Sequence, residues 1–184
     1  MSKDAEVKVT GKCNETGWYR IEYKGKVGYV SNNYLTVNSP EPEIPASITS
    51  EIYVLGQYIT GVEPGTSVED FLNGITRHGG ATVKLLNKNG AEQTGVVCTG
   101  SILQVFDGTT LVTSYEIVIY GDVSGDGYVN TLDAIKVNRY TIGLGTLTGA
   151  YLEAADASRD KNVNTLDSIF INRFSIGVVT INQK

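Results

Sequence analysis

Oxygen-bearing residues recur at a fixed spacing in the last third of the chain. Asp122-Val-Ser-Gly-Asp-Gly-Tyr-Val-Asn-Thr-Leu-Asp133 is echoed by Asp156-Ala-Ser-Arg-Asp-Lys-Asn-Val-Asn-Thr-Leu-Asp167, an offset of 34 residues. Such a repeat is the first thing to seek in a sequence. Counted from the leading aspartate, positions 1, 3, 5, 7, 9 and 12 supply Asp122, Ser124, Asp126, the carbonyl of Tyr128, Asn130 and Asp133. The second copy supplies Asp156, Ser158, Asp160, the carbonyl of Asn162, Asn164 and Asp167. An all-oxygen set at that spacing suits a hard cation taking six to eight ligands at about 2.3–2.6 Å, so each segment reads as an EF-hand-type loop and the pair predicts two Ca²⁺. One such loop can arise in any polar turn, but two in tandem argue against chance.

The departures from the usual loop carry information. Position 12 is Asp in place of Glu, a shorter arm that reaches the ion when the following helix sits closer. Position 3 is Ser in both loops, which lowers the charge of each site. Position 6 is Gly127 in the first loop and Lys161 in the second. A positive φ at Lys161 costs about 1 kcal/mol, so the second site is expected to be the weaker.

Each loop must be held by the segment on its C-terminal side, and the echo continues there. Ile135, Asn138, Arg139, Ile142 and Gly143 recur as Ile169, Asn172, Arg173, Ile176 and Gly177. By helical spacing Leu132, Ile135, Arg139 and Ile142 form one stripe, and Ala134, Val137 and Thr141 form another. A small helix needs one apolar stripe for its own core, which leaves the other for a partner; from sequence alone, both being internal stays open. The duplicate stripe is Leu166, Ile169, Arg173 and Ile176.

Gly121 to Asp126, Gly127, Asn130, Asp133-Ala134, Arg139-Tyr140 and Gly143, repeated once, resemble dockerins, the paired loop-helix modules of cellulosomes and related polysaccharide-degrading assemblies. The resemblance spans Gly121 to about Val178. It implies a cohesin on a scaffold protein as partner, contacted through Thr131, Leu132, Ile135, Arg139 and Ile142 and through Thr165, Leu166, Ile169, Arg173 and Ile176. It also implies an extracellular setting, secreted or in a cell-surface complex.

The rest of the chain divides at Asn38 to Ala46, where three of the four prolines fall, a stretch that reads as a semi-rigid linker. Before it, Trp18 to Tyr23 alternates like a strand, turns at Lys24-Gly25 and resumes over Lys26 to Val30, a hairpin of aromatic and β-branched residues. Gly17-Trp18-Tyr19, Gly28-Tyr29-Val30 and Tyr34-Leu35 resemble the C-terminal half of bacterial SH3-like domains. After the linker, strands are expected at Ile52–Leu55, Thr82–Leu86, Gly95–Cys98, Ile102–Phe106 and Ser114–Ile119, with turns at Asn87 to Gly90 and Asp107-Gly108. One helix is expected behind a capping box, Thr66-Ser67-Val68-Glu69, carrying Val68, Phe71, Leu72 and Ile75 on one face and ended by Gly79-Gly80. Its position beside a dockerin-like segment is similar to that of X-modules. The expected fold is thus multi-domain α+β. Its pieces are a partial SH3-like segment over 1–37, a linker over 38–46, a strand-rich module with one helix over 47–120, and an all-α, EF-hand-like module over 121–184.

Composition excludes several functions. A formal net charge of −5 with no basic patch argues against nucleic acid. No run approaches the roughly 18 apolar residues that a membrane span requires. The first residues, Met1 to Ala5, hold no apolar signal core, so the signal peptide of a secreted protein would lie upstream. Cys13 and Cys98 show no metal-ligand spacing and nothing in the sequence supports a bridge between them. His78, the only histidine, is expected in a loop just past the helix with no triad partner. No paired-carboxylate or nucleophile constellation lies outside the loops, so the chain reads as a non-catalytic adaptor. The alternative is a carbohydrate- or cell-wall-binding module gripping polysaccharide through the aromatics Trp18, Tyr19, Tyr23 and Tyr29 or through the middle module.

Overall fold

The computed structural model describes residues 6–13, 16–36 and 44–184. They fall into two compact units, Met1–Glu43 and Ile44–Lys184. Most of the proline-rich linker, residues 38–43, lies outside the described residues.

The first unit is a three-stranded antiparallel sheet, β1 (Lys8–Lys12), β2 (Tyr19–Tyr23) and β3 (Lys26–Val30), followed by a 3-10 turn at Asn32–Tyr34. The β2–β3 hairpin closes at Lys24 and Gly25, both at positive φ, which matches the right-handed twist of the strands they join. Only Ile21 is fully buried among its described residues.

In the second unit the strand-rich part comes first. A five-stranded sheet has the order β5 (Val54–Leu55), β6 (Tyr58–Thr60), β10 (Thr110–Ile117), β9 (Ile102–Asp107), β8 (Thr82–Leu86), with β6 and β10 parallel. A second sheet pairs β4 (Ser47–Thr49) with β7 (Thr76–His78). Helix α1 (Val68–Asn73) lays Phe71 into a core with Ile59, Val62, Leu103, Val105 and Ile117. Three expectations are corrected by this part of the fold. The helix cap is Ser67, one residue later than read: its hydroxyl accepts from Asp70 N and donates to the Asp70 carboxylate, while Thr66 donates to the Glu63 carbonyl. The helix ends at Gly74, so His78 sits in β7, its Nε2 2.9 Å from Thr49 Oγ1. Gly95–Cys98 forms no strand, because its main chain bonds instead to the start of α1, through Val68 N to Gly95 O and Val97 N to Thr66 O.

The helical part comes next: α2 (Thr131–Thr141), α3 (Gly149–Ala155) and α4 (Thr165–Ser175), with α2 and α4 packed against each other. Both long helices end alike, Leu144 N reaching Arg139 O and Val178 N reaching Arg173 O. Ala134, Val137 and Ile171 are buried with Ala150, Ala154 and Ala155 of α3. Val118 and Tyr120, read from sequence as the end of the middle module, belong to this helical core, and Tyr58 of β6 packs on it. No helix among the described residues is long and apolar enough to cross a membrane.

The two stripes of each long helix therefore differ in what they touch. Ile171→Ala, which empties the α2–α4 contact, is expected to cost about 2–5 kcal/mol in denaturant unfolding. Ile169→Ala, on the exposed stripe, is expected to stay within about 0.5 kcal/mol. Equal losses would contradict this assignment of faces.

Candidate functional site

The first loop is organised around one buried carboxylate. Asp122 Oδ1 accepts from Gly125 N (2.8 Å) and Asp126 N (3.1 Å), and Oδ2 accepts from Gly127 N (3.0 Å) and Thr99 N (2.9 Å). Asp133 closes the loop from the other end, accepting from Ser124 N at 2.7 Å and Asn130 N at 2.9 Å. The last bond completes a capping box with Asn130, so the aspartate at position 12 is also the third residue of α2. That double role places the shorter arm beside the loop.

The second loop repeats the pattern. Asp156 accepts from Asp160 N (3.0 Å) and Lys161 N (2.9 Å), and Asp167 from Ser158 N (2.9 Å) and Asn164 N (2.8 Å). Asn164 caps α4 as Asn130 caps α2, so both side-chain oxygens at position 9 face a helix N–H. The carbonyl of Asn162 also accepts from Asn164 Nδ2 at 3.1 Å.

Asp122, Asp133 and Asp167 are wholly buried. Burial pushes the Asp122 and Asp133 carboxyls above the usual aspartate range, and the backbone N–H groups around them pull the other way. Among the described residues, no group of three or more His, Cys, Asp or Glu side chains comes together as a metal cluster. The donor set still fits a hard cation, being oxygen throughout with Ser, Asn and main-chain carbonyls beside the carboxylates. Ser158 Oγ, at position 3 of the second loop, is buried with no hydrogen-bond partner, the condition of an atom shaped to meet something else.

The loops differ in their surroundings. A Cβ on Gly125 would lie 2.8 Å from Tyr151 Cε1 and 3.0 Å from the Thr99 carbonyl, and one on Gly127 would lie 2.6 Å from the Val97 carbonyl. Both glycines also have positive φ. Their counterparts are Arg159 (φ +64°) and Lys161 (φ +71°), both exposed. The strain expected at Lys161 is therefore present, and Arg159 doubles it. Arg159 in turn stacks on the Tyr120 ring at 3.6 Å and donates to the carbonyls of Asn182 and Lys184 at 3.2 Å each. Burial and the hydrogen bond to Glu153 push the Tyr120 phenol up to about 12, so it stays a neutral donor.

The stripe residues stand apart from this core. Leu132, Ile135 and Ile142 are exposed, as are Leu166, Ile169 and Ile176, with Thr131, Arg139, Thr165 and Arg173 exposed among them. Sequence reasoning missed Thr99, Tyr151, Arg159 and Gln183. Gln183 exchanges two hydrogen bonds with the Tyr120 backbone and accepts from Gly61 N. None of the four carries a local signal, because each acts across 20 or more residues or by packing. The thiols Cys13 and Cys98 are half-buried, and burial raises Cys98 most.

Residues 120–174 match the family model of the dockerin type I domain, and residues 1–36 that of the bacterial SH3 domain. No curated relative matches the chain. Among solved structures, a complex from Acetivibrio cellulolyticus of the third cohesin ScaC with a ScaB dockerin mutated in its N-terminal helix is 25% identical, covering 36% of this chain and 93% of that one, with a TM-score of 0.33. The dockerin type I match thus falls on the helical part of the second unit, and the bacterial SH3 match on the first unit.

Proposed function

We propose that the chain is an adaptor whose dockerin, folded by two Ca²⁺, binds a cohesin and so attaches a secreted protein to an extracellular polysaccharide-degrading complex. One observation carries this reading. The stripe that sequence assigned to a partner is exposed on both helices, while Ala134 and Val137 on the other stripe of α2, and Ser168 and Ile171 at the repeat positions of α4, are buried. Asp122, Ser124, Asp126, the Tyr128 carbonyl, Asn130 and Asp133 would hold one ion, and Asp156, Ser158, Asp160, the Asn162 carbonyl, Asn164 and Asp167 the other. Bound calcium would neutralise carboxylates that burial alone leaves costly. The exposed leucines and isoleucines would fill the centre of the interface, with Arg139 or Arg173 pairing at its rim.

The exposed aromatics of the first unit, Trp18, Tyr29 and Tyr34, favour a second reading, a polysaccharide or cell-wall grip. Pull-down on starch, cellulose and cell wall with the dockerin deleted separates the two, since retention would support the grip.

Three outcomes test the adaptor. Binding to a panel of cohesins should be seen with calcium and lost in EDTA; no binding to any cohesin with calcium present would contradict it. The duplicate face predicts two binding orientations. Leu132→Asp with Arg139→Ala, or Leu166→Asp with Arg173→Ala, should each cost about 0.4 kcal/mol, the statistical factor of two, while all four together abolish binding. Loss from one pair alone in a folded module would mean a single mode. The strained turn of the second loop predicts unequal sites: Asp122→Ala should damage folding more than Asp156→Ala, and calorimetry showing a second site as tight as the first would contradict this.

A further inference from the structure

The two loops differ in where the donors to their leading aspartate come from. Asp156 accepts from Asp160 and Lys161 of its own loop. Asp122 also accepts from Thr99, 23 residues upstream in the strand-rich part. Thr99, Ile119 and Asp122 close a ring of hydrogen bonds. Thr99 N–H donates to Asp122 Oδ2 (2.9 Å), Asp122 N–H to the Ile119 carbonyl (3.0 Å), and Ile119 N–H to Thr99 Oγ1 (3.1 Å), which donates back to Ile119 O at 3.3 Å. All three residues are buried, so no water competes for these bonds. Around the ring two segments of the strand-rich part press on the loop backbone: Gly127 O accepts from Gly65 N at 2.8 Å, and the Val97 and Thr99 carbonyls occupy the space a side chain at Gly127 or Gly125 would need. Tyr151 of α3 fills the gap between Gly100 and Gly125.

We propose that Thr99 is a positioning residue of the first calcium site, so that occupancy of that site is coupled to the fold of the strand-rich module and occupancy of the second is not. The inference rests on the proposed calcium binding. A ligand carboxylate fixed by an outer hydrogen bond binds its metal in one orientation, and loss of such a partner typically weakens binding about 10–100-fold. Coupling of this kind is reciprocal: whatever the module contributes to calcium affinity, calcium returns as stability of the module.

The test is calorimetric titration of calcium into the full chain and into Thr99→Val and Thr99→Ser. Valine keeps the shape and removes the hydroxyl that ties Thr99 to Ile119, while serine retains it. The expected result is that Thr99→Val, which keeps the N–H that reaches Asp122 but releases that N–H from its tie to Ile119, weakens one of the two binding steps severalfold and leaves the other unchanged, with Thr99→Ser close to the parent. Thr99→Val binding like the parent, or losing equally in both steps, would overturn the proposal. A parent chain that binds no calcium would instead overturn the underlying calcium reading, so the two failures are distinguishable. Hydrogen exchange of the unaltered chain gives the reciprocal measurement, free of any folding defect in the variant. Calcium should slow exchange at Thr99, Ile119 and the β9 and β10 amides; unchanged exchange there would also overturn the proposal.

Discussion

Burying a carboxylate is the constraint on which the second unit is built. Asp122, Asp133 and Asp167 are out of contact with water, and an ionised group in that position costs several kcal/mol unless something compensates it. Backbone N–H groups do part of this by wrapping each loop around its own aspartates, which also sets where α2 and α4 begin. In the adaptor reading a cation does the rest. Loop shape, helix start and the direction in which Leu132 and Leu166 project are then set by the same few oxygens.

The two halves of the repeat answer that constraint differently. The first loop is pressed against the strand-rich module, which supplies one extra donor and leaves no room for side chains at Gly125 and Gly127. The second faces outward, so Arg159 and Lys161 are tolerated at positive φ, and Arg159 gains a stacking partner in Tyr120 and two carbonyls near the C-terminus. Glycine in one copy and long cations in the other thus reflect the neighbours of each loop as much as its turn.

The repeat was legible because its determinants are local: ligand types at loop spacing, an Asn cap, an apolar period of about 3.6. Mixed α/β character and the long strands β8 to β10 were legible for the same reason. What escaped depends on distant partners. Strands β4 and β7 are three residues each and pair across 27 or more positions, too short to show alternation. Gly95–Cys98 has a strand-like composition, but its backbone is claimed by the start of α1. Thr66 and Ser67 offer capping pairs one residue apart, with Glu69 and Asp70, and packing of Phe71 goes with the later one. The division placed after Tyr120 matches the start of the repeat, whereas the helical core reaches back to Val118 and Tyr58.

Thermal unfolding of the full chain in calcium and in excess EDTA tests most directly whether a cation completes this unit. At free calcium a hundredfold above its dissociation constant, each occupied site adds about 2.7 kcal/mol to the folded state. The melting transition of the second unit should therefore move to higher temperature with calcium and fall on chelation. Superimposable transitions in the two conditions would contradict the account.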